Sequence, residues 1–117
     1  MSTLKLEKSA WHPYFDRVSK VAGGSKLAEV EVAALNLGDQ VEAQWLPFSG
    51  IVYDPKDDLI EVVLEGLDHL IRRPRQVFID EEAALLRSLE VIDASGVRQI
   101  IRLRDPLMLP PPEHARH

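Results

Sequence analysis

From Leu27 to Arg104 apolar and polar side chains alternate with a period of two, and this constrains the fold more than any other feature. Val30 and Val32 alternate with Glu29 and Glu31. Val41, Ala43 and Trp45 alternate with Glu42 and Gln44, and Ile60, Val62 and Leu64 with Glu61, Val63 and Glu65. Successive side chains of a strand point to opposite faces, so the pattern predicts half-buried antiparallel strands with one wet face. Turn chemistry falls between them at Asn36-Leu37-Gly38-Asp39, Asp54-Pro55-Lys56-Asp57 and Asp93-Ala94-Ser95-Gly96, which predicts three hairpins. Pro47 and Gly50 interrupt the second strand, which predicts a bulge or sharp bend of the kind that curls a sheet.

Residues 9–22 have a different period. Trp11, Phe15, Val18 and Ala22 recur at spacings of four, three and four, which predicts an amphipathic helix docked through this stripe. Ser9 is a candidate N-cap, Pro13 a candidate first residue, and Gly23-Gly24 the stop. A further strand is expected over Gln76–Asp80 and a last hairpin over Leu89–Arg104. Ala83, Ala84 and Leu85 predict a helical turn within Glu81–Ser88. The expected organisation is an N-terminal segment (1–8), one globular domain (9–105, helix 9–22 and sheet 27–104) and a Pro-rich tail (106–117). The fold class is mainly β, or α+β by content. One helix precedes about six antiparallel strands in a meander, forming a curled sheet or a small barrel that resembles SH3-like barrels.

At 117 residues the chain is long enough for one self-sufficient core, and 45% of it is hydrophobic. With no cysteine there is no disulfide, thiolate metal site or cysteine nucleophile. The N-terminus lacks the apolar core of a signal peptide, and no stretch reaches the roughly 20 apolar residues of a membrane span. The expected location is therefore cytoplasmic, with no membrane partner.

Charge is uneven. Residues 1–66 carry 6 basic and 11 acidic side chains, and residues 67–117 carry 8 of each. Every basic residue of the second part is arginine, the side chain suited to planar, bidentate contacts. The segment Glu61–Asp80 gathers His69, Arg72, Arg73 and Arg75 around a bend at Pro74. On the last strand Arg98, Arg102 and Arg104 share one face. These seven residues are the candidate ligand- or partner-binding set. If the strand at 76–80 lies beside the last hairpin, they can form a basic stripe for phosphate-rich ligands or an acidic protein surface. Cross-strand pairing of the same arginines with Glu61, Glu65, Glu90 and their neighbours is the structural alternative.

The segments SAWHPYFDRVSK, GIVYDPKDDLIEVVLEGLDHLI and RLRDP resemble a bacterial domain-of-unknown-function family, number 5335, over roughly residues 4–109. The resemblance implies a compact bacterial domain and no known activity, cofactor or catalytic residue.

Catalytic and metal signatures are weak. The four histidines have no helical i, i+4 pair, and Asp54, Asp57 and Asp58 lack the ligand spacing of a calcium loop. Ser49-Gly50 and Ser95-Gly96 lack a nucleophile-elbow context, and Gly23-Gly24 lacks that of a phosphate loop. No catalytic residue, metal or cofactor is assigned. Of the aromatics, only Tyr14, Phe48 and Tyr53 are expected at the surface. With the acidic balance, that argues against nucleic acid. The chain reads as a non-catalytic binding or protein-interaction module, with a protein partner or self-association favoured. A homo-oligomeric structural protein is the alternative, and a small hydrolase or isomerase a more distant one.

Overall fold

The computed structural model describes residues 2–34 and 38–106. Eight strands form one antiparallel sheet: β1 (Ser2–Leu6), β2 (Lys26–Ala34), β3 (Gly38–Asp54), β4 (Leu59–Leu64), β5 (Leu67–Arg72), β6 (Pro74–Glu82), β7 (Leu85–Asp93) and β8 (Arg98–Arg104). The spatial order is β1-β6-β7-β8-β2-β3-β4-β5. The sheet curls without closing, so β1 and β5 remain edges. One helix, α1 (Trp11–Ala22), packs on the concave face against β3.

The period-two pattern places most of the core as expected, although Val41 of the expected apolar face is exposed. Ala28, Val30, Ile60, Val62, Val77, Val91 and Ile101 line the concave face, all essentially without solvent contact. Trp11, Tyr14, Phe15, Val18 and Ala22 of α1 close over them. Burying the largest of these side chains contributes roughly 1.5–3 kcal/mol each. The Trp11 ring meets Tyr53 edge-on at 5.0 Å, and its indole N–H donates to the Leu6 carbonyl at 3.0 Å.

Ser19 fastens the helix to the sheet. Its Oγ donates to the Ile51 carbonyl at 2.9 Å and accepts the Ile51 N–H at 2.8 Å. The β3–β4 register slips between Phe48 and Gly50, the bulge signalled by Pro47 and Gly50. Gly23 sits against this bulge. A Cβ there would come within 2.4 Å of the Ser49 carbonyl oxygen, so only glycine permits the approach.

Several local expectations are corrected. The helix starts at Trp11 after a 3-10 turn (Lys8–Ala10), and its N-cap is Ala10 without a side-chain cap, not Ser9. Residues 81–88 form no helical turn. They are strand on either side of a two-residue loop, Ala83-Ala84, with both residues at positive φ (55° and 65°). Helix propensity lost to the ladder pairing Glu82 with Leu85. A second tight hairpin, at Glu65-Gly66, divides the expected 61–80 segment and makes β5 a strand of its own. Residues 2–6, a lead-in on sequence grounds, pair with β6 as an edge strand. The expected turns at 54–57 and 93–96 are present, each organised by an aspartate. Asp54 Oδ1 accepts from the Lys56 N–H and Asp93 Oδ1 from the Ser95 N–H. Residues 36 and 37 of the turn expected at 36–39, and almost all of the Pro-rich tail, lie outside the described residues. Among the described residues, no helix is long and apolar enough to cross a membrane.

Candidate functional site

The convex face is where the pleat directs polar side chains, and one row crosses four strands there. Asp80 on β6 pairs in register with Ser88 on β7, Ser88 with Arg102 on β8, and Arg102 with Glu29 on β2. Arg102 donates to Glu31 at 2.7 Å and to Glu29 at 3.1 Å. The hydrogen bond from Arg102 holds the Glu31 carboxyl below the ordinary carboxylate range. Next to it Asp39 is raised, because its carboxyl shares a hydrogen bond with Glu31. Arg98 donates through Nε to Glu90 at 2.6 Å. Two of the three strand arginines are thus engaged in cross-strand pairs, the structural alternative set out above.

Arg104 is different. Its guanidinium lies 3.9 Å from the centre of the Trp45 ring, a cation–π stack, and its Nε is buried without a hydrogen-bond partner. Oδ1 of Asp80 is in the same condition. Both residues line a groove of about 360 Å³ with Trp45, Arg87, Ser88 and Arg102. Arg87, at its rim, is bonded to Glu82. The groove continues past Arg104 into a hollow of about 520 Å³ between Lys26 and the Ala83-Ala84 loop.

Trp45 reaches this position through a backbone irregularity. Val30 pairs with Ala43 and Ala28 with Leu46, so Gln44 and Trp45 together oppose the single residue Glu29. Trp45 takes φ 52°, in the left-handed region that costs an L-residue roughly 1–2 kcal/mol. The bulge reverses the alternation and turns the indole from the concave to the convex face. The surface aromatics differ from the expected set: Trp11 and Phe15 are buried as expected, but Phe78 is only half-buried. Trp45 is half-buried on the convex face, while Tyr14, Phe48 and Tyr53 are buried. The Tyr14 hydroxyl donates to Glu81 Oε2 at 2.5 Å, and burial, then that bond, raises it well above the usual phenol range.

The other candidate residues lie elsewhere. His69 is not in a bend. It faces inward from the middle of β5, and its Nε2–H donates to Gln99 Oε1 at 2.5 Å. Gln99 Nε2 donates in turn to Asp93 Oδ2 at 3.2 Å, which fixes the amide orientation. The chain His69–Gln99–Asp93 ties edge strand β5 to β8 and β7 across the interior. Arg72, Arg73 and Arg75 are exposed at the β5–β6 corner. Arg73 takes φ 51°. Its N–H donates to the Asp58 carbonyl at 2.8 Å, and its carbonyl accepts from Ala94 at 2.9 Å, so two neighbouring turns hold the corner. β6 does lie beside the last hairpin, but Glu90, Glu29 and Glu31 interleave with the β8 arginines and break up a continuous basic stripe.

The structure therefore brings Arg102 and Arg104 together and leaves His69, Arg72, Arg73 and Arg75 apart from them. Trp45, Asp80, Arg87 and Ser88 are among the groove residues that sequence reasoning missed. The alternation itself had assigned Trp45 to the core. Among the described residues, no three His, Asp or Glu side chains gather closely enough to hold a metal ion.

No solved structure matches the chain. A protein of Aquifex aeolicus (strain VF5) described as "Uncharacterized protein" is 38% identical over 111 residues, spanning 94% of this chain and 99% of that protein. The model of a family of unknown function, DUF5335, matches residues 2–112, and the chain belongs to that family.

Proposed function

We propose that this domain is a non-catalytic protein-interaction module that takes an extended peptide segment of its partner in the groove beside Trp45. The supporting observation is the pair Asp80 Oδ1 and Arg104 Nε, an acceptor and a donor on one groove, both shut off from water and unbonded. A buried polar atom left unsatisfied costs roughly 1–3 kcal/mol, so a ligand that completes the pair recovers that cost. A peptide group presents both complements, an N–H for the carboxylate and a C=O for the guanidinium. Rotation of the long Arg87 and Arg104 side chains, a common adjustment on binding, opens the floor to it. The Trp45 indole supplies apolar area with a polar tip, the combination favoured at interfaces.

The test is selection of peptides from a display library on the folded domain, followed by 15N-correlation NMR of the complex. Bound peptide should move the Trp45 indole resonance and the amides of residues 80–88 and 102–104, and Arg104→Gln should abolish capture. Selected peptides that perturb other surfaces, or bind Arg104→Gln equally well, would refute the reading.

A further inference from the structure

Edge strand β5 has a feature that the peptide groove does not explain. Among the described residues it pairs with β4 alone, and no strand lies on its other side. The Arg73 N–H bonds back to Asp58, the continuation of the β4–β5 ladder. Backbone groups of a strand alternate in direction, so Leu67, His69 and Ile71 bond toward β4. Asp68, Leu70 and Arg72 direct their N–H and C=O groups to the open edge. The side chains of the same three residues stand on the convex face, all exposed.

The order Asp68, Leu70, Arg72 is self-complementary. Two copies of β5 running antiparallel about a two-fold axis at Leu70 set each Asp68 opposite the other copy's Arg72. A register centred on Asp68 or on Arg72 would oppose like charges instead. Leu70 is 41% exposed, and Val52 beside it, in the same cross-strand row through Glu61, is 46% exposed. The axis would thus bring together two Leu70 side chains that are open to water in the single chain.

Charge on and beside this row points the same way. Glu61 and Asp68 share a hydrogen bond at the edge, which raises Glu61 above the ordinary glutamate range. Arg72 makes no ion pair among the described residues. A second copy brings its Arg72 to this carboxyl pair and gives its own pair the same cation. The opposite edge lacks this symmetry: β1 carries Thr3 and Lys5 on its convex side.

We infer that the chain forms a two-fold homodimer by antiparallel pairing of β5 with β5 of a second copy, centred on Leu70, with reciprocal Asp68–Arg72 ion pairs. The two sheets become one, and the isologous contact closes the assembly at two copies. The Trp45 groove is lined from β3, β6, β7 and β8, with no residue of β4 or β5, and stays free, so the inference is independent of the peptide reading.

The experiment is sedimentation equilibrium over a wide concentration range, on the full chain and on charge-swapped variants. The wild type should show a monomer–dimer equilibrium that weakens with salt. Asp68→Arg sets arginine against arginine and Arg72→Asp sets aspartate against aspartate, so each should weaken self-association by about tenfold or more. Mixing the two variants should restore a heterodimer, since every opposed pair is then of opposite sign. The double variant should self-associate like the wild type. Circular dichroism checks that each variant folds, and the exposed positions make that the expected result. A wild-type monomer at millimolar concentration overturns the inference. So does a dimer indifferent to the single swaps, or a mixture that stays monomeric.

Discussion

The Ala83-Ala84 loop allows a quantitative test of how the sheet overrides local preference. Both alanines hold positive φ (55° and 65°) between paired residues Glu82 and Leu85, the geometry of a type I′ hairpin turn. Each L-alanine pays roughly 1–2 kcal/mol for the left-handed region, which asparagine and especially glycine enter more easily. Replacing the pair by Asn-Gly removes most of that strain, and glycine returns about 0.4–1 kcal/mol through its freer unfolded chain. The net expectation for Ala83→Asn with Ala84→Gly is a gain of about 1–2 kcal/mol, or roughly 4–8 °C in Tm for a domain of this size. Urea unfolding should show a higher midpoint with an unchanged slope, because the exposed loop alters little buried surface. A neutral or lower midpoint would refute the argument and mean that the Ala-Ala conformation carries no strain.

Two further outcomes follow from the same geometry. Ser19→Ala removes the side-chain partner that the Ile51 N–H has among the described residues and should cost roughly 1–3 kcal/mol in urea unfolding. A loss under a few tenths would mean that water replaces the hydroxyl freely. Glu61 has a raised carboxyl because of Asp68, so its proton is bound more tightly in the folded chain. Its stabilising contribution is present below the ordinary glutamate range and is lost as pH rises through the raised value. At a dilution that keeps the chain monomeric, Glu61→Gln should therefore gain Tm relative to the wild type as pH increases from acid to neutral. A difference independent of pH would rule out the coupled carboxyls.

Much of the fold was legible because it rests on local physics. Period-two alternation announced the strands, the four-three-four stripe from Trp11 to Ala22 announced the docked helix, and Pro47 with Gly50 announced the bulge under Ser19. The turn aspartates Asp54 and Asp93 bond to their own following backbone, so neighbouring residues suffice to recognise them. The site was far less legible. Arg102 and Arg104 stood out as arginines on one face, but nothing near Arg104 indicates that Trp45 would turn outward to stack on it, or that Asp80 would face the same groove.

Sequence alone determined the class of element at most positions and much of the aliphatic core, since burial of an alternating or helical stripe depends on residues close in the chain, but it misplaced Tyr14, Phe48, Tyr53 and Trp45. Tertiary structure decided the strand order, the conformation of Ala83 and Ala84 and the face on which Trp45 lies. It also decided the company that each arginine keeps. Those outcomes depend on pairing between segments far apart in sequence. One extra residue opposite Glu29 reverses a face, and a ladder closing on Glu82 and Leu85 overrides two strong helix formers. The free edge at β5 belongs to the same class: Asp68, Leu70 and Arg72 are legible as alternating residues, but only the spatial order of eight strands leaves them unpaired.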